Sequence, residues 1–209
     1  MEERITLRFE ELFFLGELMK AEYMDYSYIA AMGEIQRGYE VIRGKCLQSL
    51  ARRRIITQRL SGEVTVQPQA RELLNNVFFG KLETRLDLDE TAQDTERQTW
   101  RYHSLNGATT LVRTEGEKLS LEPSTAAQQQ AMLRRLIGVH PGDIRSADRL
   151  KPSAVSRTLF AQRAEIGAGS RSALLVEQNG GLYAADGDRL TGISDTQGET
   201  LLLNILKGE

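Results

Sequence analysis

The stretch Trp100-Arg-Tyr-His-Ser-Leu-Asn-Gly-Ala-Thr-Thr-Leu-Val112 decides the fold class of this chain of 209 residues. Asn106-Gly107 is typical of a type I′ turn, because both central residues of that turn have positive φ angles. Apolar residues recur at every second position on both sides of the turn, which is the period of a β-strand. We therefore predict an antiparallel hairpin with strands over Trp100–Leu105 and Ala108–Arg113, followed by a third strand over Glu117–Leu121.

The first strand of this hairpin has two chemically different faces. Trp100 and Tyr102 lie on one face, and Arg101 and His103 lie on the other. We expect one face to be core and the other to be exposed, and large aromatic side chains are usually buried. The predicted partner-binding surface is therefore the polar one, formed by Arg101, His103 and the neighbouring Arg113. The alternative is a docking face built on the two aromatic residues.

Outside the hairpin, apolar residues spaced three and four apart predict helices. The predicted helices lie over Arg8–Lys20, Glu34–Arg53, Pro68–Phe78, Ala126–Ile137 and Pro152–Gly167.

Period-two alternation predicts further strands. They lie over Lys81–Leu88, over a short hairpin from Ile55 to Val66, and over Ala173–Val176, Leu182–Ala185 and Leu190–Ile193. The final apolar segment, 200–206, is compatible with a helix or a strand. Strands and helices come in blocks, which predicts an α+β fold with a mainly antiparallel sheet flanked by helices.

A polar, acidic segment at 89–96 predicts a connection between two halves. Residues 1–88 would form a helical, winged-helix-like half that ends in a strand, and residues 97–209 an α+β half. We expect the two halves to make one compact fold.

Composition excludes several classes of protein. The chain is 40% hydrophobic and has a formal net charge of −2, which does not fit disorder, collagen or a globally basic nucleic-acid binder. One cysteine cannot form an intramolecular disulfide, and we interpret Cys46 as a small hydrophobe within a helix. The apolar runs are far shorter than the ~20 residues of a membrane span. Together with an opening Met1-Glu-Glu-Arg that is no signal sequence, these features predict a cytoplasmic protein.

No sequence motif indicates catalysis. His103 and His140 lie in no metal-ligand spacing, and no nucleophile elbow, phosphate-binding loop or zinc-protease motif is present. Asp186-Gly-Asp188 resembles a fragment of a calcium loop, but Asp-Gly is itself a hairpin-turn signal. We expect no enzymatic activity, no cofactor and no metal.

Local charge leaves a nucleic-acid function open. Residues 34–59 carry seven basic and two acidic side chains, whereas residues 1–33 carry three and seven. Arg52, Arg53 and Arg54 end a helix that runs into a hairpin, as in a winged-helix DNA-binding protein. The alternative is that these arginines lie on a solvated face and pair with the acidic first helix, which the net charge favours.

The order of features in Glu34–Leu88 resembles a known family. It contains the helix EIQRGYEVIRGKCLQSLARRRII, a short hairpin, the segment VQPQARELL and the strand KLETRLDL. These resemble the N-terminal half of EspG-type chaperones of type VII (ESX) secretion systems, and the opening ITLRFEELFFL is similar to that family's first segment. The chain departs from the family at Arg53-Arg54, where the family often has Gly after Arg, and at Gly80, where a Pro commonly precedes the strand.

The resemblance covers about the first 90 residues and identifies the chain as a divergent relative. It implies a cytosolic adaptor with a quasi-two-fold α+β fold that binds helical-hairpin secretion substrates and keeps them soluble. A winged-helix transcriptional regulator is the alternative function, and the sequence does not indicate an oligomeric state.

Overall fold

The structure, a computed structural model, describes residues 4–30, 39–90, 97–140, 148–187 and 189–207. Its α-helices are α1 (Phe9–Met19), α2 (Tyr26–Ala30), α3 (Tyr39–Arg52), α4 (Pro68–Phe79), α5 (Ala126–Ile137) and α6 (Asp195–Lys207). Its strands are β1 (Ile5–Arg8), β2 (Ile56–Gln58), β3 (Val64–Val66), β4 (Leu82–Glu90), β5 (Gln98–Leu105), β6 (Ala108–Glu115), β7 (Lys118–Pro123), β8 (Asp148–Arg149), β9 (Val155–Glu165), β10 (Gly169–Gln178), β11 (Gly181–Asp186) and β12 (Arg189–Gly192). The predicted α+β class with a mainly antiparallel sheet and flanking helices is confirmed.

The chain divides into two compact units that interleave in sequence. Unit 1 contains Met1–Lys81 and His103–Pro123, and unit 2 contains Leu82–Tyr102 and Ser124–Glu209. This division differs from the predicted halves 1–88 and 97–209, because β1 pairs with β7 and so joins the N-terminal segment to a later strand. Of the predicted connection 89–96, the first two residues belong to β4 and the rest lie outside the described residues. The quasi-two-fold relation stays a prediction.

In unit 1, antiparallel strands support the four described helices through one apolar core. β1 pairs with β7, and β7 pairs with β6. The apolar side chains with no measurable exposure come from strands and helices alike: Leu7, Leu15, Leu50, Leu74, Phe78, Leu119 and Leu121. Apolar side chains spaced three or four residues apart on the helices therefore pack against apolar side chains spaced two residues apart on the strands.

Helix α4 begins and ends where the sequence predicts. Pro68 occupies the first turn, where its missing N–H is no loss, and the helix ends before Gly80. A Cβ at Gly80 would lie 2.2 Å from the carbonyl oxygen of Asn76 and 2.8 Å from that of Ser104. Only glycine fits this close approach of backbones.

The other predicted elements of unit 1 are also observed. Helix α3 buries Cys46 and Leu50, although residues 34–38 of the predicted helix fall outside the described ranges. Strands β2 and β3 form the expected short hairpin. Asn106 and Gly107 have φ angles of 51° and 84°, which confirms the turn between β5 and β6.

Unit 2 contains an antiparallel run of strands in the order β4, β9, β10, β11, β12 and β8, with α5 and α6 packed together. Helix α6 settles the undecided segment 200–206, and it buries Leu202, Ile205 and Leu206.

The predicted helix over Pro152–Gly167 is wrong. A single 3₁₀ turn at Pro152–Ala154 leads directly into β9. Leu159 lies opposite Leu88 of β4 on one side and Leu175 of β10 on the other. A strand with partners on both edges satisfies most of its backbone hydrogen-bonding groups, and this pairing overrides an ambiguous local pattern.

Candidate binding surfaces

Both faces of β5 are buried in the structure. Trp100 and Tyr102 are 7% and 2% exposed, as predicted for core aromatics, but Arg101 and His103 are only 9% and 4% exposed. The expectation of one solvent-exposed face is therefore wrong. The alternation of residues separates an aromatic face of the strand from a polar face. It does not determine whether other parts of the protein cover the polar face.

His103 lies in a buried hydrogen bond within unit 1. Its Nε2 is 2.9 Å from the hydroxyl oxygen of Tyr28, which is 2% exposed on α2. The two rings are tilted, with centroids 6.0 Å apart. This pair fixes α2 against the end of β5.

The two predicted arginines face carboxylates. In unit 2, Arg101 Nε lies 3.8 Å from Glu83 Oε1. In unit 1, Arg113 Nη2 donates to Glu122 Oε1 at 2.7 Å, and its side chain is 30% exposed. Of the three predicted partner-binding residues, Arg113 is the one that solvent reaches best.

The arginine triplet at the end of α3 divides into two roles. Arg53 Nη2 lies 2.6 Å from Oε1 of Glu11, a buried carboxylate of α1, and its other terminal nitrogen donates to the carbonyl oxygen of Thr6 in β1. This is the predicted pairing with the acidic first helix. Arg52 and Arg54 remain exposed beside the β2–β3 hairpin.

A second exposed feature lies at this hairpin. Leu60, in the turn between β2 and β3, is fully exposed. A cleft of about 690 Å³ lies beside β2, and its lining includes Arg54, Ile56, Gln58 and Pro68. The cleft combines apolar surface with hydrogen-bonding groups, which is the usual composition of a recognition surface. The sequence signal for it was a leucine in an otherwise polar turn.

His140 has charged partners that the sequence spacing did not reveal. Its Nδ1 lies 2.6 Å from Asp195 Oδ1, and its Nε2 lies 3.3 Å from Glu177 Oε2. Its backbone N–H donates to Asp195 Oδ2 at 3.0 Å. Glu177 lies 37 positions after His140 in the sequence, and Asp195 lies 55 positions after it. Only the tertiary structure therefore brings the three residues together.

Burial and hydrogen bonding act in opposite directions on the two carboxylates. Burial raises the pKa of Glu177, but the Ser156 hydrogen bond, the Arg157 charge and His140 outweigh it and lower the pKa overall. Burial likewise raises the pKa of Asp195, and hydrogen bonds from His140 outweigh it. Because both ring nitrogens of His140 face carboxylates, neither is available to act as a general base on a substrate.

Cys46 has the properties of an inert core residue. Burial, followed by the charges of Glu11 and Glu10, raises its pKa to about 11. The thiol is therefore protonated at neutral pH and is a poor nucleophile.

In the parts of the chain that the structure describes, no group of three His, Cys, Asp or Glu side chains could hold a metal ion. Within the same ranges, no helix has the length and apolar character needed to cross a bilayer.

Comparison with known proteins identifies the fold. No protein-family model and no curated protein matches the sequence. The structure is similar to the Mycobacterium tuberculosis type VII secretion system chaperone EspG5, solved in complex with a PE25–PPE41 dimer. The similarity covers 98% of this chain and 96% of that chain, with a TM-score of 0.65 and 8% sequence identity. The chain therefore has a distant EspG-like fold, and identity this low establishes the fold alone.

Proposed function

We propose that this protein is a cytoplasmic chaperone or adaptor of a type VII secretion system that binds helical secretion substrates and has no enzymatic activity. The observation that carries the proposal is the fold similarity to EspG5 over nearly the whole of both chains. EspG5 is a chaperone and was solved with a PE25–PPE41 dimer. Fold does not determine function, so a binding site must be tested separately.

The β2–β3 hairpin is the proposed docking surface for such a substrate. Leu60 is fully exposed, and the cleft beside β2 of the same hairpin supplies the exposed Pro68 together with polar groups, whereas Ile56, which also lines it, is buried. An amphipathic helix binds by placing apolar side chains against such a surface while polar groups form its rim. Covering Leu60 would contribute about 1.5–3 kcal/mol of apolar transfer free energy.

The predicted polar surface is a second proposed contact. Arg113 is its accessible member, whereas Arg101 and His103 are buried and do not present their side chains to solvent. A partner carboxylate would have to compete with Glu122 for the Arg113 guanidinium.

The function is tested by co-expression with helical-hairpin proteins encoded by neighbouring genes. We expect a soluble stoichiometric complex with one of them, measured by size-exclusion chromatography with light scattering. If none of the neighbours binds, the chaperone proposal is wrong.

The docking surface is tested on that complex with two matched variants. Leu60→Asp should weaken binding at least tenfold, because a charge would have to be desolvated at the interface. Ile166→Asp, at another exposed apolar position in the β9–β10 turn of unit 2, is the control and should bind normally. Equal binding by both variants places the interface elsewhere. Arg113→Glu tests the polar surface in the same assay.

DNA binding is the alternative proposal, and it rests on Arg52 and Arg54, which are exposed next to the hairpin. A protein that contacts several phosphates loses about 10³-fold or more in affinity between low and moderate salt. A mobility-shift assay at low salt with no detectable complex removes this alternative.

A further inference from the structure

The end of α5 and the start of α6 are joined by a cluster of four charged or titratable side chains in unit 2. His140 follows α5 by three residues, and Asp195 is the first residue of α6. Glu177 comes from β10 and Arg157 from β9. Side-chain exposures of 10% for His140, 24% for Glu177 and 32% for Asp195 make this a partly desolvated group.

The geometry selects one protonation state of the imidazole. Each ring nitrogen of His140 faces a carboxylate oxygen, at 2.6 Å and 3.3 Å. A neutral imidazole carries a single N–H and can donate to only one of them, which leaves the other nitrogen lone pair against an oxygen. The imidazolium donates to both.

The charges of the surrounding elements give the same result. Arg157 Nη2 lies 3.0 Å from Glu177 Oε2 and donates to the Ile137 carbonyl oxygen at 2.6 Å, so it also caps α5. Among the described residues of this cluster, two carboxylates and one guanidinium have a net charge of −1, and protonation of His140 makes that sum zero. One helical turn away, Glu199 of α6 is already paired with Arg134 and Gln130 of α5.

We propose that His140 is a pH-dependent clasp whose protonation locks the end of α5 to the start of α6. Histidine in general changes charge between pH 5 and 8. Only the imidazolium donates to both carboxylates, so the clasp is complete at mildly acidic pH and loses one of its two hydrogen bonds as the pH rises through the histidine range.

The carboxylates set the acid limit of the clasp. Because folding lowers the pKa of Glu177 and of Asp195, their contribution is present above the ordinary carboxylate range and is lost as the pH falls through their lowered values. The clasp is therefore strongest between the carboxylate and histidine ranges, at about pH 5 to 6.5.

Thermal unfolding measures the effect directly. The Tm of wild type minus the Tm of His140→Gln should be about 2–4 °C larger at pH 5.5 than at pH 8. A difference of this size corresponds to one strengthened ion pair in a chain of this length. Glu199→Gln is the matched control, because Glu199 also joins α6 to α5 but has no histidine partner. Its Tm offset should be the same at both pH values.

Proton NMR provides a second readout, since the chain has only two histidines and His140→Gln assigns their signals. Glu177→Gln and Asp195→Asn should each move the His140 ring signals at about pH 5.5, because each variant removes a carboxylate from one ring nitrogen, while the signals of His103 stay in place. If both variants leave the His140 ring signals unchanged at that pH, or if His140→Gln and wild type lose stability in parallel with pH, the clasp does not exist. Glu177→Gln alone decides the NMR test if Asp195→Asn does not fold.

Discussion

Helix α4 in unit 1 and the helix pair α5–α6 in unit 2 are held in place by different kinds of interaction. Helix α4 buries Leu73, Leu74 and Phe78, and its buried polar contact is neutral: Asn76 Nδ2 donates to Thr110 Oγ1 at 3.0 Å. The α5–α6 pair also buries leucines, but charged side chains fix its ends. The stabilisation from a neutral, buried contact does not depend on pH or salt, whereas the stabilisation from charged side chains depends on both.

Strand β9 provides the charged anchors of the helix pair. Arg157 donates to the carbonyl oxygen of Ile137 at the end of α5, and Arg163 donates to that of Leu206 near the end of α6. The two arginines are six residues apart, so they lie on the same face of the strand. A cation at a helix C-terminus satisfies free carbonyl groups and interacts favourably with the helix dipole.

The largest expected effect is on the apolar anchor. Leu74→Ala in α4 should reduce the free energy of unfolding by about 2–5 kcal/mol, because it leaves a cavity in a fully buried position. Urea denaturation at pH 5.5 and pH 8 should give the same loss. A pH-dependent loss would contradict the comparison between the two anchors.

The next largest effect is expected at the charged anchor. Arg157→Ala should reduce the free energy of unfolding by about 1.5–3 kcal/mol, since it removes hydrogen bonds to Glu177 and to the end of α5. Arg135→Ala, at an exposed position on α5, is the control and should change stability by less than about 0.5 kcal/mol. Equal losses in the two variants would show that the cap has no energetic role.

A smaller effect is expected at the neutral hydrogen bond of α4. Asn76→Ala should reduce the free energy of unfolding by about 1 kcal/mol, because Thr110 still donates to the carbonyl oxygen of Leu73. The loss should be unchanged in 1 M salt, where exposed charges are screened. Salt-dependent destabilisation in denaturation curves would argue against a neutral anchor.

The smallest effect is expected at Glu199. Its hydrogen bond from Gln130 lowers its pKa, burial opposes this, and the bond and charge of Arg134 add to the lowering. The stabilisation is therefore present above the carboxylate range and is lost as the pH falls through the lowered pKa. Glu199→Gln should lower Tm slightly at pH 7 and not at pH 3, measured by calorimetry in low salt. An offset that persists at pH 3 would mean that the carboxylate charge is not the cause.

Asp87 shows that the alternation of residues along a strand does not always predict which side chains are buried. The alternation in Lys81–Leu88 places Asp87 with the polar side chains, yet it is 2% exposed. Thr99 donates to it at 2.7 Å, and the guanidinium groups of Arg85 and Arg97 lie 2.8 Å and 2.5 Å away. A carboxylate can be buried once it is paired and hydrogen-bonded, and those partners come from another strand as well as its own.

The candidate site was only partly predictable. A basic, helix-to-hairpin region was visible in the sequence, as was the option that Arg53 pairs with the first helix. Leu60 and the cleft beside it were not singled out, because one leucine in a turn has no periodic signal and a cleft is a property of assembled elements. The His140 cluster could not be foreseen, since its members are far apart in the chain.

The sequence by itself determined the local elements whose signals lie within a few residues. Asn106-Gly107 dictated a turn, Pro68 and Gly80 bounded a helix, and strict alternation defined β4. These signals act through backbone sterics and side-chain period, which need no distant partner.

Only the tertiary structure decided the rest. Val155–Glu165 is a strand because β4 and β10 bind both of its edges, and the polar face of β5 is buried although its alternation suggested exposure. The division into units follows from the pairing of β1 with β7, more than a hundred residues apart. In each case the free energy comes from groups that are remote in sequence, and a local pattern carries no information about where those groups lie.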